Sequence, residues 1–451
     1  MMKTHKTPRH DRVILFTRYP IPGKTKKRLI PALGPINAAD LHRHMTEKML
    51  GTARTAVSSR SMEVVVCFEG GTEAGMRRWL GTGLTFVSQV PGDLGERMAA
   101  AFAQSFRTGA KRVLLFGADI PEANDGHIRE AFDALWKRDL VMGPTADGGY
   151  WLIGMKEPLD LFKDIPWGTE KVFERTAERA RERGMTVHSL PPLMDMDRIA
   201  DVERWMPQWC PPGPYLSVII PALNEAPRIG AAIRSARGDE VEIIVADGGS
   251  TDGTETVARE AGVRVLRGPA GRAAQQNRAA ALARGKVLLF LHADTCLPHD
   301  YACQVFQTLM DRGTVLGAFR FRTDLNHPMM KGIQALTNAR SRYLGLPYGD
   351  QGLFVLKSVF REVAGFPDVP FAEDLLFVRK LKPLGRIGIA PGYAVTSARR
   401  WRTLGLMRTT LLNQVILAGC YLGVPFRTLL PFYRKTRARM EDRSGSLFTS
   451  K

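Results

Sequence analysis

The sequence predicts an α/β fold that occurs twice, as two domains in tandem, each with a mostly parallel central sheet covered by helices. Two apolar runs that read almost alike, residues 113–121 and 287–298, support this prediction. Each run is continuous, as expected of a strand buried on both faces. Towards its end each contains a lone carboxylate, Asp119 or Asp294, at the place where α/β sheets bind ligands. The length of 451 residues also exceeds what one hydrophobic core usually organises.

The domain boundary is predicted by a proline-rich stretch at residues 205–214, which can continue neither a helix nor a central strand. A new strand starts directly after it. We therefore expect a first domain over 1–206, a linker over 207–214, a second domain over 215–434 and a polar tail over 435–451.

Strand-like and helix-like segments alternate in both halves, which is typical of parallel sheets covered on both faces. In the first half the predicted strands are 13–17, 64–68, 113–116 and 140–143, and the predicted helices are 38–56 and 97–106. In the second half the predicted strands are 218–221, 242–246, 263–266 and 287–291, and the predicted helices are 228–236 and 254–261.

The cysteine content predicts a reducing, cytoplasmic location. Five cysteines are scattered without a CxxC pair, which argues against zinc and disulfides; they are Cys67, Cys210, Cys296, Cys303 and Cys420. The N-terminus is polar and basic, and the apolar run after it is too short for the core of a signal peptide.

A formal net charge of +19 predicts an anionic partner: a phosphate-bearing substrate, anionic lipid or nucleic acid. No nucleic-acid recognition motif accompanies the charge, so we expect no nucleic-acid partner. Basic residues are dense over 399–443, around an apolar helical segment at 404–430 that contains Asn413, Gln414 and Pro425. This composition suits peripheral contact with the inner face of a membrane better than a spanning helix. The alternative is a helix packed on its own domain with a solvated basic edge.

Two loops in the second half follow predicted strands. The first strand breaks at Pro221 into a polar loop with Asn224 and Glu225, and the next ends at Asp247 in a glycine-rich turn that includes Gly249. Glycine lets the backbone approach a ligand closely, and an aspartate at a strand end can bind a base or ribose. In this order, the two loops resemble those of the family 2 glycosyltransferases, which have the GT-A fold, and the resemblance covers residues 215–434.

The resemblance implies a catalytic site for inverting sugar transfer from a nucleotide sugar. His292-Ala293-Asp294 lies where the family has its metal-binding DxD, and Glu373-Asp374 lies where it has an acidic pair. Asp294 would then bind Mg or Mn, and Asp374 would be the general base beside Glu373. The further donor-binding residues that the resemblance implies are Pro221, Asn224, Glu225, Asp247, Gly249, Arg272, Gln351, Arg400 and Trp401.

Two departures from the family pattern bear on the metal. The first aspartate of the DxD is replaced by His292, and no histidine follows His327 as a late ligand. We therefore expect weak metal binding, with basic residues such as Arg272 or Arg400 meeting part of the diphosphate charge. For Arg272, an ordinary amphipathic helix is an equal alternative to a helix start that faces phosphate. For Asp294 and Asp374, the alternative is strand-end capping without catalysis.

The first half carries a proline-containing basic loop after its first strand, with Gly23, Lys24, Lys26 and Arg28. Point charges and backbone amides of this kind suit a diphosphate or triphosphate, although the spacing is not that of a P-loop. Together with segments 92–98, 117–121 and 145–150, the loop resembles the DUF2064 family over residues 13–205. That family is similar in turn to GT-A-like nucleotidyltransferases.

This second resemblance implies phosphate binding by Gly23, Lys24, Lys26 and Arg28. It also implies a divalent metal held between Asp119 and Asp147. Asp195 and Asp197 fit the family pattern but are more often capping and loop carboxylates. A scaffold without catalysis is the alternative for this half.

The sequence thus predicts a tandem enzyme in which a nucleotidyltransferase-like domain activates a sugar phosphate for the glycosyltransferase. Both resemblances are associated with arsenosugar-type biosynthesis, so the expected acceptor is a small molecule, such as an arsenical, or a lipid. The alternative is a nucleotide-binding or membrane-surface binding protein with two degenerate sites.

Overall fold

The computed structural model describes residues 10–58 and 62–431, and the chain divides into two units between Pro212 and Gly213. The predicted polar tail 435–451, and residues 432–434 of the predicted second domain, lie outside the described residues. The point of division falls within the predicted linker, 207–214.

The first unit alternates strands with helices. Its strands are β1 (Asp11–Arg18), β2 (Met62–Glu69), β3 (Thr85–Ser88), β4 (Val113–Gly117), β5 (Leu140–Pro144), β6 (Tyr150–Met155) and β7 (Val187–Ser189). Its helices are α1 (Ile30–Leu33), α2 (Pro35–Val57), α3 (Glu73–Leu80), α4 (Leu94–Arg107), α5 (Asp125–Ala134), α6 (Val172–Glu182) and α7 (Ile199–Trp205).

The strands of the first unit form one sheet in the order β3-β2-β1-β4-β6-β5-β7. Strands β1 to β4 pair in parallel, and β6 runs antiparallel between β4 and β5. The central strand β1 is buried over 12–17, which explains its continuous apolar sequence. Helix α4 starts at a capping box, in which Asp93 accepts from the Glu96 amide at 2.8 Å and Glu96 accepts from the Asp93 amide at 2.9 Å.

The second unit has eight strands and nine α-helices among its described residues. Its strands are β8 (Leu216–Ala222), β9 (Val241–Asp247), β10 (Arg264–Arg267), β11 (Val287–Phe290), β12 (Thr295–Cys296), β13 (Thr314–Thr323), β14 (Leu353–Leu356) and β15 (Arg386–Thr396). Its helices are α8 (Ala226–Ser235), α9 (Thr254–Glu260), α10 (Arg272–Leu282), α11 (Tyr301–Met310), α12 (Pro328–Leu344), α13 (Lys357–Glu362), α14 (Glu373–Leu381), α15 (Arg399–Leu404) and α16 (Leu406–Tyr421).

The second sheet has the order β10-β9-β8-β11-β14-β13-β15-β12. Apart from the two-residue strand β12, this order and its pairing directions repeat those of the first unit: β8 to β11 are parallel, and β14 is antiparallel to both of its neighbours. The predicted fold class, two tandem α/β units with mostly parallel sheets, is therefore confirmed. Carboxylates Asp119 and Asp294 both follow the fourth strand of their unit.

The C-terminal apolar segment folds as helices packed on the second unit. Ile416 and Cys420 of α16 are buried against Phe371 and Leu375, which flank the acidic pair 373–374. No helix among the described residues is both long and apolar enough to cross a membrane.

Candidate active site

Two loops at the carboxyl ends of β8 and β9 are tied together by hydrogen bonds. Asp247 is fully buried, and its Oδ1 accepts from the amides of Gly249 and Ser250, both at 2.8 Å, while its Oδ2 accepts from Ser250 Oγ at 2.6 Å. Gly249 has a φ of +90°, which favours glycine. Both carboxylate oxygens of Asp247 are thus engaged by its own loop, so in this conformation Asp247 shapes the turn and does not present a free carboxylate to a nucleoside.

The first loop is fixed against the second through Asn224. This residue has a φ of +54°, its amide donates to Ser250 Oγ at 2.9 Å, and its Oδ1 accepts from the Thr251 amide at 2.9 Å. Asparagine tolerates the left-handed region better than most residues. Pro221 is buried in β8 just before this loop. The two loops therefore form one preorganised edge.

Arg399, the first residue of α15, bridges two acidic residues that come from separate strands. Its Nη1 donates to Glu225 Oε2 at 2.9 Å and its Nη2 donates to Glu225 Oε1, while Nη2 also lies 3.3 Å from Asp294 Oδ2. The exposed fractions of the Glu225 and Asp294 side chains are only 13% and 16%. The guanidinium is thus the cation that neutralises Asp294. Arg399 is not among the residues that the sequence predicts for the site, although it lies beside the predicted residues Arg400 and Trp401.

His292 is held uncharged at the centre of the site. Burial, with the positive charges of Arg272 and Arg399, lowers its pKa to about 3. Its Nε2 is buried without a hydrogen-bond partner. A Cβ on Gly349 would lie 2.7 Å from this nitrogen and 3.1 Å from Asp374 Oδ2, so only glycine leaves room between them. His292 therefore faces Asp374, the predicted base.

The predicted acidic pair lies at the start of α14 in two different environments. Asp374 is partly exposed, and its Oδ2 accepts from the Gly349 amide at 2.7 Å. Glu373 is 2% exposed, burial raises its pKa, and Arg272 Nη1 lies 3.3 Å from its Oε1. Arg272 thus contacts Glu373 in this conformation, and Asp374 is the more exposed member of the pair.

A further acidic residue, Asp350, was missed by sequence reasoning. Burial, with the charges of Asp374 and Asp294, raises its pKa to about 6 despite the opposing charge of Arg340. Its Oδ1 is buried without a hydrogen-bond partner. A signal for Asp350 is the short Gly-Asp-Gln-Gly sequence at 349–352, in which Asp350 directly precedes the predicted residue Gln351.

The remaining predicted residues of this unit lie around the same edge. Gln351 is fully buried, donates to Phe319 O at 2.9 Å and accepts from Ser341 Oγ at 2.8 Å, so it positions the loop and does not reach a ligand. Arg400 and Trp401 lie on α15 and are partly buried, and the buried indole nitrogen of Trp401 has no hydrogen-bond partner.

In the first unit, Lys26 fills the space beside the predicted metal carboxylate. Its φ is +47°, and its ammonium donates to Asp119 Oδ2 at 2.9 Å, Asp197 Oδ1 at 2.9 Å and Met196 O at 2.6 Å. Burial would lower the pKa of Lys26, but Asp119 and Asp197 raise it, so the side chain remains charged. The ammonium occupies the place expected for a cation, and Lys26 is not available to phosphate in this conformation.

The other predicted residues of the first unit are more open. Gly23 and Lys24 are exposed, and Arg28 donates to Asp197 Oδ2 at 2.8 Å from a largely exposed position. Asp147 is folded onto its own turn, where it accepts from Thr145 Oγ1 at 2.6 Å and from the Gly149 amide at 3.0 Å.

The donor set for a divalent metal differs between the units. Within 10–58 and 62–431, no group of three or more His, Cys, Asp or Glu side chains is arranged to hold a metal ion. Asp119 and Asp147 do not fit the metal predicted between them, since Lys26 neutralises Asp119 and Asp147 caps its own loop. Asp294 offers a single carboxylate, so a metal there would take its other ligands from substrate phosphates and water and would have to displace Arg399.

Comparison with known families matches both halves of the chain. Residues 52–169 match the family described as "Uncharacterized protein conserved in bacteria (DUF2064)", and residues 217–363 match "Glycosyl transferase family 2". The two predicted resemblances, to DUF2064 over 13–205 and to family 2 glycosyltransferases over 215–434, are confirmed over these shorter ranges.

One curated relative is the glucosyl-3-phosphoglycerate synthase of Mycolicibacterium paratuberculosis (strain ATCC BAA-968 / K-10). It is 38% identical over 100 residues, which make up 19% of this chain and 30% of that protein. The chain therefore spans less than a third of the length of this relative.

Two solved structures illustrate the similarity. A protein from Desulfovibrio desulfuricans G20, provisionally described as a nucleotide-diphospho-sugar transferase, is 31% identical and has a TM-score of 0.41; the match covers 45% of this chain and 89% of that one. The glucosyl-3-phosphoglycerate synthase of Mycobacterium tuberculosis, solved with Mn2+, UDP and glucosyl-3-phosphoglycerate, is 22% identical with a TM-score of 0.31; the match covers 41% of this chain and 71% of that one.

Proposed function

The chain joins a DUF2064 segment to a segment of glycosyl transferase family 2, and from this premise we propose that its second unit transfers a sugar from a nucleotide sugar to an acceptor hydroxyl with inversion. One observation carries the proposal. Glu225 and Asp294, which follow β8 and β11, are bridged by Arg399 of α15, and Asp374 of α14 lies across Gly349 from His292, two residues before Asp294. Convergence at the carboxyl ends of parallel strands is typical of ligand sites in α/β folds.

Asp374 is the proposed general base. Its Oδ2 accepts one hydrogen bond from Gly349, which leaves acceptor capacity for the hydroxyl of the incoming acceptor. Asp374 takes the hydroxyl proton while the acceptor oxygen attacks the anomeric carbon. The bond from that carbon to the diphosphate breaks on the opposite face, the nucleoside diphosphate leaves with the electron pair, and the configuration inverts.

The negative charge on the leaving diphosphate needs a cation. Asp294 would hold Mg or Mn, and the metal would neutralise charge on the departing phosphate oxygens. We expect Arg272 and Arg399 to contribute to this neutralisation, because both lie near enough to His292 for their positive charges to lower its pKa. Proposed contacts to the rest of the donor come from the loops that contain Asn224 and Gly249, and from Arg400 and Trp401.

For the first unit we propose a nucleotidyltransferase-like role in which Lys24 and Arg28 contact phosphate and Lys26 serves as a fixed internal cation. Such a domain would supply the second unit with activated sugar. Both reactions use nucleotide substrates, which agrees with the expected cytoplasmic location.

The test is a transfer assay with the full chain and UDP-, GDP-, ADP- and dTDP-sugars, with Mg, Mn or EDTA. Acceptors should include 3-phosphoglycerate, small arsenicals and lipid extracts. Release of nucleoside diphosphate that depends on both an acceptor and Asp374 supports the proposal. Donor binding without turnover, for every pair of donor and acceptor, would favour the alternative of a degenerate nucleotide-binding protein.

A further inference from the structure

The second unit exposes an unusual concentration of large apolar side chains on α12 and α16. Within the described ranges, 13 large apolar residues are exposed, and eight of them lie on or directly after these two helices. They are Met329, Leu336, Tyr343, Leu344, Met407, Leu411, Val415 and Leu422. Single exposed apolar residues need no explanation, whereas a concentrated patch of this kind marks an interaction surface.

The exposed residues form one row on each helix. Met329, Leu336 and Tyr343 are spaced by seven residues, and Met407 and Leu411 by four, spacings that place side chains on the same face of an α-helix. The two helices are also in contact with each other. We name the combined surface, consisting of the eight residues given above, the α12–α16 face.

The α12–α16 face lies on elements that also build the proposed catalytic site. The inner side of α16 packs against Phe371 and Leu375, beside the acidic pair. Ser341 of α12 donates to Gln351 at 2.8 Å and so fixes the loop that contains Gly349. An occupant of the α12–α16 face would therefore lie near the acceptor side of the site.

The charge of the two helices indicates which kind of partner binds the α12–α16 face. Helices α12 and α16 contain no acidic residue, and three of their basic residues, Lys331, Arg342 and Arg408, are exposed. A second copy of the chain on this face would bring like charges together, whereas anionic lipid headgroups would attract them. Apolar rows on helices with basic residues are typical of helices that lie in a membrane interface.

We propose that the α12–α16 face docks on a bilayer that contains anionic lipid, and that the acceptor reaches Asp374 from that bilayer. The docking surface is argued from the exposure, spacing and charge of its residues alone, whereas the acceptor assignment rests on the proposed glycosyltransferase function.

The experiment is co-sedimentation of the full chain with vesicles of phosphatidylcholine alone or mixed with phosphatidylglycerol. The test variant is the double substitution Leu336→Ser with Leu411→Ser, at two residues that are 74% and 68% exposed. The matched control is Leu282→Ser with Leu384→Ser, at residues that are 48% and 51% exposed elsewhere in the same unit. Thermal unfolding verifies that both variants fold.

We expect the wild type and the control to bind the mixed vesicles, with binding weakened by salt, and the test variant to bind about tenfold or more weakly. Equal binding by the test variant and the control, or no binding by the wild type, would overturn the proposal. So would a dimer in light scattering that the test variant abolishes, because the face would then bind a second copy. Donor binding is measured separately by calorimetry without vesicles, so its failure would count against the glycosyltransferase function alone.

Discussion

Replacing Arg399 with alanine should destabilise the second unit and expose a site for an external cation. Arg399 joins Glu225 and Asp294, whose side chains are mostly buried. Breaking a buried ion pair costs about 3–5 kcal/mol, but the Arg399 side chain is 36% exposed and solvent screens part of the interaction. We therefore expect a loss of about 2 kcal/mol, which is a fall in melting temperature of roughly 4–8 °C for a unit of this size.

The assay is calorimetry of the full chain, with and without Mn2+, and Arg402→Ala is the matched control. Arg402 pairs with Asp324, and both side chains are more than 40% exposed, so the control should lose less than about 1 kcal/mol. Mn2+ should raise the melting temperature of Arg399→Ala more than that of the wild type, because Glu225 and Asp294 are then free to bind it. If Arg399→Ala melts like the control and responds to Mn2+ like the wild type, Arg399 is not the internal counter-charge.

Three further predictions concern single side chains. Asp374→Asn should abolish transfer, at least about 100-fold, and leave donor affinity in calorimetry unchanged, whereas an active variant would exclude Asp374 as the base. Lys26→Met should destabilise the first unit by about 2 kcal/mol, because it leaves Asp119, whose side chain is 36% exposed, without its cation; Lys24→Met, at an exposed residue, should have little effect, and equal urea midpoints would contradict this. Burial raises the pKa of Asp195 from 3.8 to about 6, so the folded protein holds a proton on this carboxyl group more tightly than the unfolded chain does. The stability of the fold therefore falls by about 1–2 kcal/mol as the pH rises from about 4 to about 6. Asp195→Asn should remove this slope from urea titrations, and an unchanged slope would assign it to another group.

The central strands could be predicted because they are buried on both faces, which gives the continuous apolar runs of β1, β4, β8 and β11. In the second sheet, β12 to β15 are not predicted by the sequence, although β5, on the corresponding side of the first sheet, is predicted as 140–143. In β13 the exposed Arg320 and Arg322 alternate with buried residues, and β15 contains Pro391 and two glycines that interrupt any strand pattern. These strands form because they pair with neighbouring strands, and their local sequence alone does not indicate them.

The residues of the candidate site also divide into those that the sequence predicts and those that it does not. Asp294 and Asp374 could be predicted because each lies in a short motif at a strand end or a helix start. The bridge from Arg399 to Glu225 spans 174 residues, and the contact of Lys26 with Asp119 spans 93. No local pattern indicates such pairs, so the sequence indicated the basic residues as ligands for phosphate, whereas the structure pairs them with the protein's own carboxylates.

The repeated strand order gives each unit a carboxylate after its fourth strand, yet the cations that balance them come from unrelated places in the chain. Lys26 precedes its carboxylate, on the loop after the first strand, while Arg399 follows its own, on a helix after the last strand. The shared scaffold thus dictates the position of the anion and leaves the choice of counterion open. Each unit can consequently lose or exchange its counterion by substitution at a single position.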